Sequence, residues 1–246
     1  MSVNAEIAIR QGQILLDVSG LTKRYGDQVA LADVSFSVFS GEVLGLIGPN
    51  GAGKTTLLES IAGILPSDSQ TIQWRGAPLS SADRRSSLFY LPDGVRPWQD
   101  QFVTRVLMFF ASIYRRSQKH INDAVADAGL APVLNKRVLA LSKGYARRLM
   151  WALALLAPQP LLLMDEPFDG FDLKQSREMT SVLRQSMAAG RTLILSIHQL
   201  ADAERVCDRF ILLSEGHVRG MGTLNDLRKQ TGLASASLED VFLALT

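Results

Sequence analysis

The residues Gly48-Pro49-Asn50-Gly51-Ala52-Gly53-Lys54-Thr55, followed by Thr56, carry the densest chemistry in the sequence. They have the spacing G-x-x-x-x-G-K-[ST] and stand between a short apolar run, Glu42 to Ile47, and the helical pattern KTTLLESIAGIL. Glycines at 48, 51 and 53 let backbone N–H groups converge on an anion with no Cβ in the way, and the helix that follows adds its positive end. Lys54 supplies a mobile charge for the outer phosphates of a nucleotide, and the Thr55 hydroxyl is a ligand for Mg²⁺. A glycine-rich turn without a ligand is the competing reading. The strand before it and the helix after it count against that.

A second constellation is Leu161-Leu162-Leu163-Met164-Asp165-Glu166-Pro167. A buried strand ending in two acids is expensive unless a positive group waits at its tip, because an unpaired buried carboxylate costs several kcal/mol. Mg²⁺ with a nucleotide is such a group. Asp165 then reads as the Mg²⁺-side carboxylate, and Glu166, turned the other way by strand alternation, reads as the base that polarises an attacking water. His198, just after the apolar run Thr192 to Ile197, is placed to reach a γ-phosphate; a surface or capping histidine is the alternative.

These residues need a scaffold that brings loop tips together. From Ile14 to Val38 apolar residues alternate on either side of Gly26-Asp27-Gln28, which predicts an antiparallel hairpin. Further strands are predicted at Thr71–Trp74, Ser87–Leu91, Leu161–Met164 and Thr192–Ile197, with helices over Lys174–Ala188 and Leu200–Val206. Arg209–Leu213 and His217–Met221 flank Ser214-Glu215-Gly216 as another hairpin. Between Phe102 and Leu156 the pattern turns helical, with Val103, Val106, Leu107, Phe110, Ile113 and Tyr114 spaced as one buried stripe. Continuous apolar strands alternating with helices argue for an α/β fold with a mostly parallel sheet, whose ligands sit beyond the carboxyl ends of the strands.

Composition narrows the function classes. The 246 residues carry 26 Lys plus Arg against 24 Asp plus Glu, a net charge of +2, so no basic arm for nucleic acid is expected. The most lipid-like stretch, Leu149 to Met164, is interrupted by Pro158, Gln159 and Pro160 and is too short to span a bilayer. The start MSVNAEIAIRQGQ has no basic segment followed by an apolar one, so no secretory signal is expected. Cys207 is alone, and with His120, His198 and His217 it makes no zinc framework. The expected compartment is the cytoplasm.

From Leu15 to Leu245 the chain resembles the nucleotide-binding subunit of ABC transporters. Leu141-Ser142-Lys143-Gly144-Tyr145 stands where that family has its signature L-S-G-G-Q, and Phe168 to Asp172 stands at its D-loop. His198 matches the switch histidine, and Tyr25 in Lys-Arg-Tyr-Gly matches the aromatic that stacks on adenine. Lys143 and Tyr145 depart from the signature Gly and Gln, Asp93 replaces the usual Gln of the Q-loop, and Asp169 replaces a common D-loop Ser. Asp93 is one methylene shorter than that Gln and lacks its neutral amide, which changes the contact it can make with Mg²⁺ or water. Ser142 also reads simply as a helix N-cap, and Tyr25 as a partly buried edge aromatic.

The resemblance implies a single P-loop ATPase domain over 1–246. Its core and antiparallel β subdomain would take about 14–92 and 157–222, a helical subdomain about 95–156, and C-terminal helices 223–246. It implies ATP and Mg²⁺ as ligands, with Thr55, Asp165 and Asp93 on the metal. Glu166, His198 and Lys54 act in hydrolysis, and Tyr25, residues 48–56, Ser142 and Gly144 bind nucleotide, the last two on a partner's ATP. It also implies a second ATP-binding subunit, the same or different, and an integral membrane permease, placing the chain peripherally on the cytoplasmic face.

Met108 and Phe109 lie off the helical stripe, either as a permease-facing surface or as part of a small helical core. The tail from Ser237 to Thr246, amphipathic through Leu238, Val241, Phe242 and Leu245, resembles the ABC-2-type export branch, as does Ser142-Lys143-Gly144. Export is therefore the expected direction. A non-transport ABC ATPase acting on ribosomes or DNA, and the ATPase of an importer, are the alternatives. Balanced charge, one such domain and a short tail count against them.

Overall fold

Tyr25 pairs with Gln28 across Gly26 and Asp27, closing the expected hairpin of β1 (Ile14–Tyr25) and β2 (Gln28–Phe39) in a computed structural model that describes residues 12–188 and 190–246. The N-terminal stretch read as lacking a secretory signal lies largely outside the described residues. On β1 also pairs β4 (Ser69–Trp74), and β5 (Ala77–Pro78) extends this antiparallel sheet in the order β2-β1-β4-β5.

The second sheet is the predicted parallel one. Its order is β10-β9-β3-β8-β7-β6, built from β3 (Val43–Ile47), β6 (Leu88–Leu91), β7 (Leu161–Asp165), β8 (Thr192–Ile197), β9 (Arg209–Ser214) and β10 (His217–Gly222). Only β10 runs antiparallel within it, as the second arm of the expected hairpin. Strand alternation splits the core into two layers. Leu44, Leu46, Leu161, Leu163 and Ile194 face the antiparallel sheet and α1 (Lys54–Ala62), together with Leu16, Leu21, Leu57 and Ile61. Val43, Ile47, Leu162, Met164, Leu193 and Leu195 face the other way. Position 165 continues the odd-numbered face of β7 and 196 the even-numbered face of β8, so both side chains are directed toward α1.

The helices on the far face include α3 (Val103–Ile113), α4 (Gln118–Asp127), α5 (Lys143–Leu156) and α6 (Leu173–Ala188), with short 3₁₀ turns at Ala131–Val133 and Val138–Ala140. The expected α3 stripe holds at Val103, Val106 and Leu107, and Ala111 completes it, but Ile113 is exposed because the helix ends at Tyr114 just above the core. Ser87 closes a helix, α2 (Ser81–Ser87), instead of opening β6; Ser80 caps that helix by accepting the Asp83 N–H. After α7 (Leu200–Val206) and the hairpin come α8 (Leu224–Thr231) and α9 (Leu238–Leu245). The apolar face of α9 turns inward, with Leu238 and Val241 fully buried and Phe242 and Leu245 packed at its edge.

Candidate functional site: a phosphate loop facing two strand-end acids

The loop from Gly48 to Gly53 tolerates nothing larger at its two ends. A Cβ at position 48 would lie 2.3 Å from the Leu213 carbonyl oxygen, and one at 53, where φ is +103°, would lie 2.5 Å from that of Ala30. Lys54, buried, curls back over the loop and donates to the carbonyls of Gly48 at 2.8 Å and Pro49 at 3.2 Å. Its Nζ is 3.9 Å from Glu166 Oε1. Burial pulls the Lys54 pKa below that of an ordinary lysine, and the charges of Glu166 and Asp165 oppose that pull. No acid occupies the first turn of α1, so the helix's positive end is left for an incoming anion.

Thr55 Oγ1 donates to Asp165 Oδ2 at 2.7 Å. The other Asp165 oxygen accepts a very short hydrogen bond from Ser196, and the Ser196 hydroxyl in turn accepts the Glu166 N–H at 2.9 Å. Parallel register explains the triad, since Asp165 pairs with Ser196 across β7 and β8. Glu166 leaves the strand with φ +47°, a left-handed conformation that costs a non-glycine residue ~1–3 kcal/mol. That turn sets its Oε2 2.5 Å from His198 Nδ1. His198 therefore contacts the second acid, and the N-cap position of α7 is taken by Gln199.

Lys54, Thr55, Asp165, Glu166 and His198 thus meet at one end of the parallel sheet. Tyr25 stands at the end of β1, 50% exposed, with Lys23 Nζ 5.4 Å from its ring centroid. Ser142 is the N-cap of α5 and accepts the Tyr145 N–H at 3.3 Å; Gly144 follows in the first turn. Asp93 is drawn elsewhere. Its Oδ1 is 2.5 Å from Arg147 Nη2, on α5. Pro49, Asn50 and Gly51 line the exposed rim of the loop, Ala52 is buried under it, and the Thr56 carbonyl accepts from Ser60 Oγ inside α1.

Two residues escaped the sequence reading. Ser196 is the hydroxyl set inside the apolar run LILSI, and its position opposite Asp165 follows only from strand order. Tyr90, on β6, has a buried hydroxyl without a hydrogen-bond partner; burial and the nearby charges of Asp165, Glu59 and Asp93 all push its pKa upward.

Residues 31–169 match the family model described as "ABC transporter". Over 238 residues the chain is 32% identical to "ABC-type transporter ATP-binding protein EcsA" of Bacillus subtilis (strain 168), covering 94% of this chain and 96% of that one. The chain belongs to the ABC transporter family as an ATP-binding subunit. It is also 35% identical over 226 residues to "Nod factor export ATP-binding protein I" of Rhizobium meliloti (strain 1021), covering 88% of this chain and 67% of the relative. A solved "Structure of ATP binding subunit of ABC transporter" superposes with a TM-score of 0.85 at 33% identity, over 94% of this chain and 99% of that one. The ABC subunit has the P-loop α/β fold of that family and hydrolyses ATP to power transport. Among its described residues no helix is long and apolar enough to cross a membrane.

Proposed function

We propose that this chain is the motor of an export system, closing on ATP together with a second ATP-binding subunit and driving a separate membrane permease from the cytoplasmic face. The observation that carries this reading is the convergence of Lys54, Thr55, Asp165, Glu166 and His198 beyond the ends of β3, β7 and β8. In this reading the loop amides and Lys54 hold the outer phosphates, and Tyr25 stacks on the base. Glu166 takes the proton of the attacking water, and His198, bonded to Glu166, orients that carboxylate and meets the γ-phosphate. Ser142 and Gly144 of the second subunit close the same triphosphate from the other side.

The donor set fits a hydrated Mg²⁺, which is held by one or two hard oxygen ligands and keeps its remaining positions for phosphate and water. Thr55 Oγ1 and Asp165 Oδ2, already 2.7 Å apart, would hold it. Asp93 is a third oxygen ligand only if its carboxylate leaves Arg147. Bound there, the ion supplies charge neutralisation on the outer phosphates.

Within the same proposal, about 14–92 and 157–222 act as core and β subdomain, about 95–156 as the helical subdomain and 223–246 as C-terminal helices. The permease is received on the surface where Trp98 and Phe109 stack edge to face, with centroids 4.8 Å apart. Export is supported by the relative named for Nod factor export. The deciding experiment is Glu166→Gln, whose amide cannot accept the water's proton. With ATP and Mg²⁺ it should sediment as a stable dimer while hydrolysis falls at least ~100-fold, the lower range for losing a general base. A monomer throughout, or parental turnover, rejects the reading.

A further inference from the structure

Two positions where this chain departs from the usual pattern, Asp93 and Asp169, are far apart in sequence yet meet at a single guanidinium, and a third, Lys143, joins them through Asp169. Arg147, 8% exposed, reaches Asp93 with Nη2 at 2.5 Å, donates through Nε to the Asp169 carbonyl at 3.2 Å and lies 3.7 Å from the Asp169 carboxylate. Lys143 completes the row, its Nζ 2.8 Å from Asp169 Oδ2. That contact holds the Asp169 carboxyl below the usual carboxylate range. The row therefore alternates in sign: Asp93, Arg147, Asp169, Lys143.

The four members come from three separate segments of the site. Asp93 opens the loop between β6 and α3, Asp169 follows Glu166 on the loop after β7, and Lys143 and Arg147 lie in the first turns of α5 behind Ser142. One turn further along α5, Trp151 Nε1 donates to the Pro167 carbonyl at 2.8 Å, so α5 grips the Glu166 loop at two points. A buried guanidinium that lost its carboxylates would be left uncompensated, which makes the acids at 93 and 169 a matched set with Arg147.

We propose that Arg147 is a positioning residue for hydrolysis, pinning the Asp93 loop and the Glu166 loop to the Ser142 end of α5 so that the three move as one body. Its contacts run to Asp93 and Asp169. Its effect comes through the placement of Glu166, where small displacements cost rate more than binding. The inference rests on the site reading above.

The test is a double-mutant cycle on the full chain, with Arg147→Gln, Asp93→Asn and the pair, measuring ATP affinity, KM and kcat. Each single variant should lose about tenfold in kcat with KM and ATP affinity within about twofold, and the pair should be no worse than the poorer single. Arg147→Lys, which keeps the charge and loses the fork, should recover part of the loss. Asp93 is exposed, so Asp93→Asn keeps the fold, and a cycle that pairs it with Arg147→Lys reads the same coupling should Arg147→Gln unfold. Additive losses, or an unchanged kcat in Asp93→Asn, overturn the proposal. A parental protein that binds no ATP would instead overturn the site reading beneath it.

Discussion

Ser196 Oγ stands between the Asp165 carboxylate and the Glu166 backbone, accepting a hydrogen bond from the Glu166 N–H at 2.9 Å and donating one to Asp165. The acid proposed for the metal and the acid proposed for water are therefore held by one hydroxyl. Asp165 is fixed by its two hydroxyl donors, Thr55 and Ser196. Glu166 is fixed in a left-handed turn by the same Ser196 and by His198.

Ser196→Ala should break that link while leaving the strand intact, because alanine fits wherever serine does in a fully buried β8 position. The Glu166 N–H and one Asp165 oxygen then lose their partner, a loss of ~1–3 kcal/mol for a buried polar group. The expected outcome is kcat down roughly 10-fold with KM for ATP changed much less, since the phosphate loop is untouched. Steady-state ATPase assays at several Mg²⁺ concentrations check it. A fall in affinity with kcat preserved would place Ser196 in nucleotide binding.

Tyr25 offers a second outcome. Half-exposed and with Lys23 against its ring, it contributes little to the core, so its removal should be felt by the base and not by the fold. Tyr25→Ala should weaken ATP binding by ~1–3 kcal/mol, the range for one lost base–aromatic stack, while Tyr25→Phe should bind as the parent does. Titration with a fluorescent ATP analogue, beside thermal melts of both variants, separates the two. Equal affinity in all three proteins removes Tyr25 from the site.

Much of this site was legible in one dimension because its parts are local. The Gly48–Thr55 loop has to be glycine where Leu213 and Ala30 carbonyls press on it, and a strand ending in two acids announces a cation. The sheet was legible for the same reason: runs such as LLLM and TLILSI have room for burial on both faces. Ser196 and Arg147 were not legible, since their roles depend on which strands and helices become neighbours. Ile113 and Ser87 were misplaced where an element ends, and the capping of α2 by Ser80 is a short-range signal that strand propensity at 87–91 obscured. For Met108 and Phe109 the sequence left two readings. The structure exposes them 54% and 46%, with Trp98 beside them at 51%, so they do not complete a buried helical core.

That exposed surface yields the last prediction, and Cys207 makes it clean. Cys207 is the chain's one cysteine, and burial pushes its thiol far above the usual range, with Asp208 adding to the shift. Only the thiolate attacks thiol reagents, so the folded protein should show no reactive thiol, and one should appear on unfolding in guanidinium. Cysteines introduced as Met108→Cys and Phe109→Cys are then the reactive thiols present, with no background to subtract. If the Trp98–Phe109 surface receives the permease, cross-linkers on 108 and 109 in native membranes should capture a polytopic membrane protein, and a cysteine at exposed Ile64, on the other side of the sheet, should not. Capture from 64 and not from 108 or 109 would move the docking surface to the α1 side. Absence of any membrane partner would favour the alternative, a non-transport ABC ATPase.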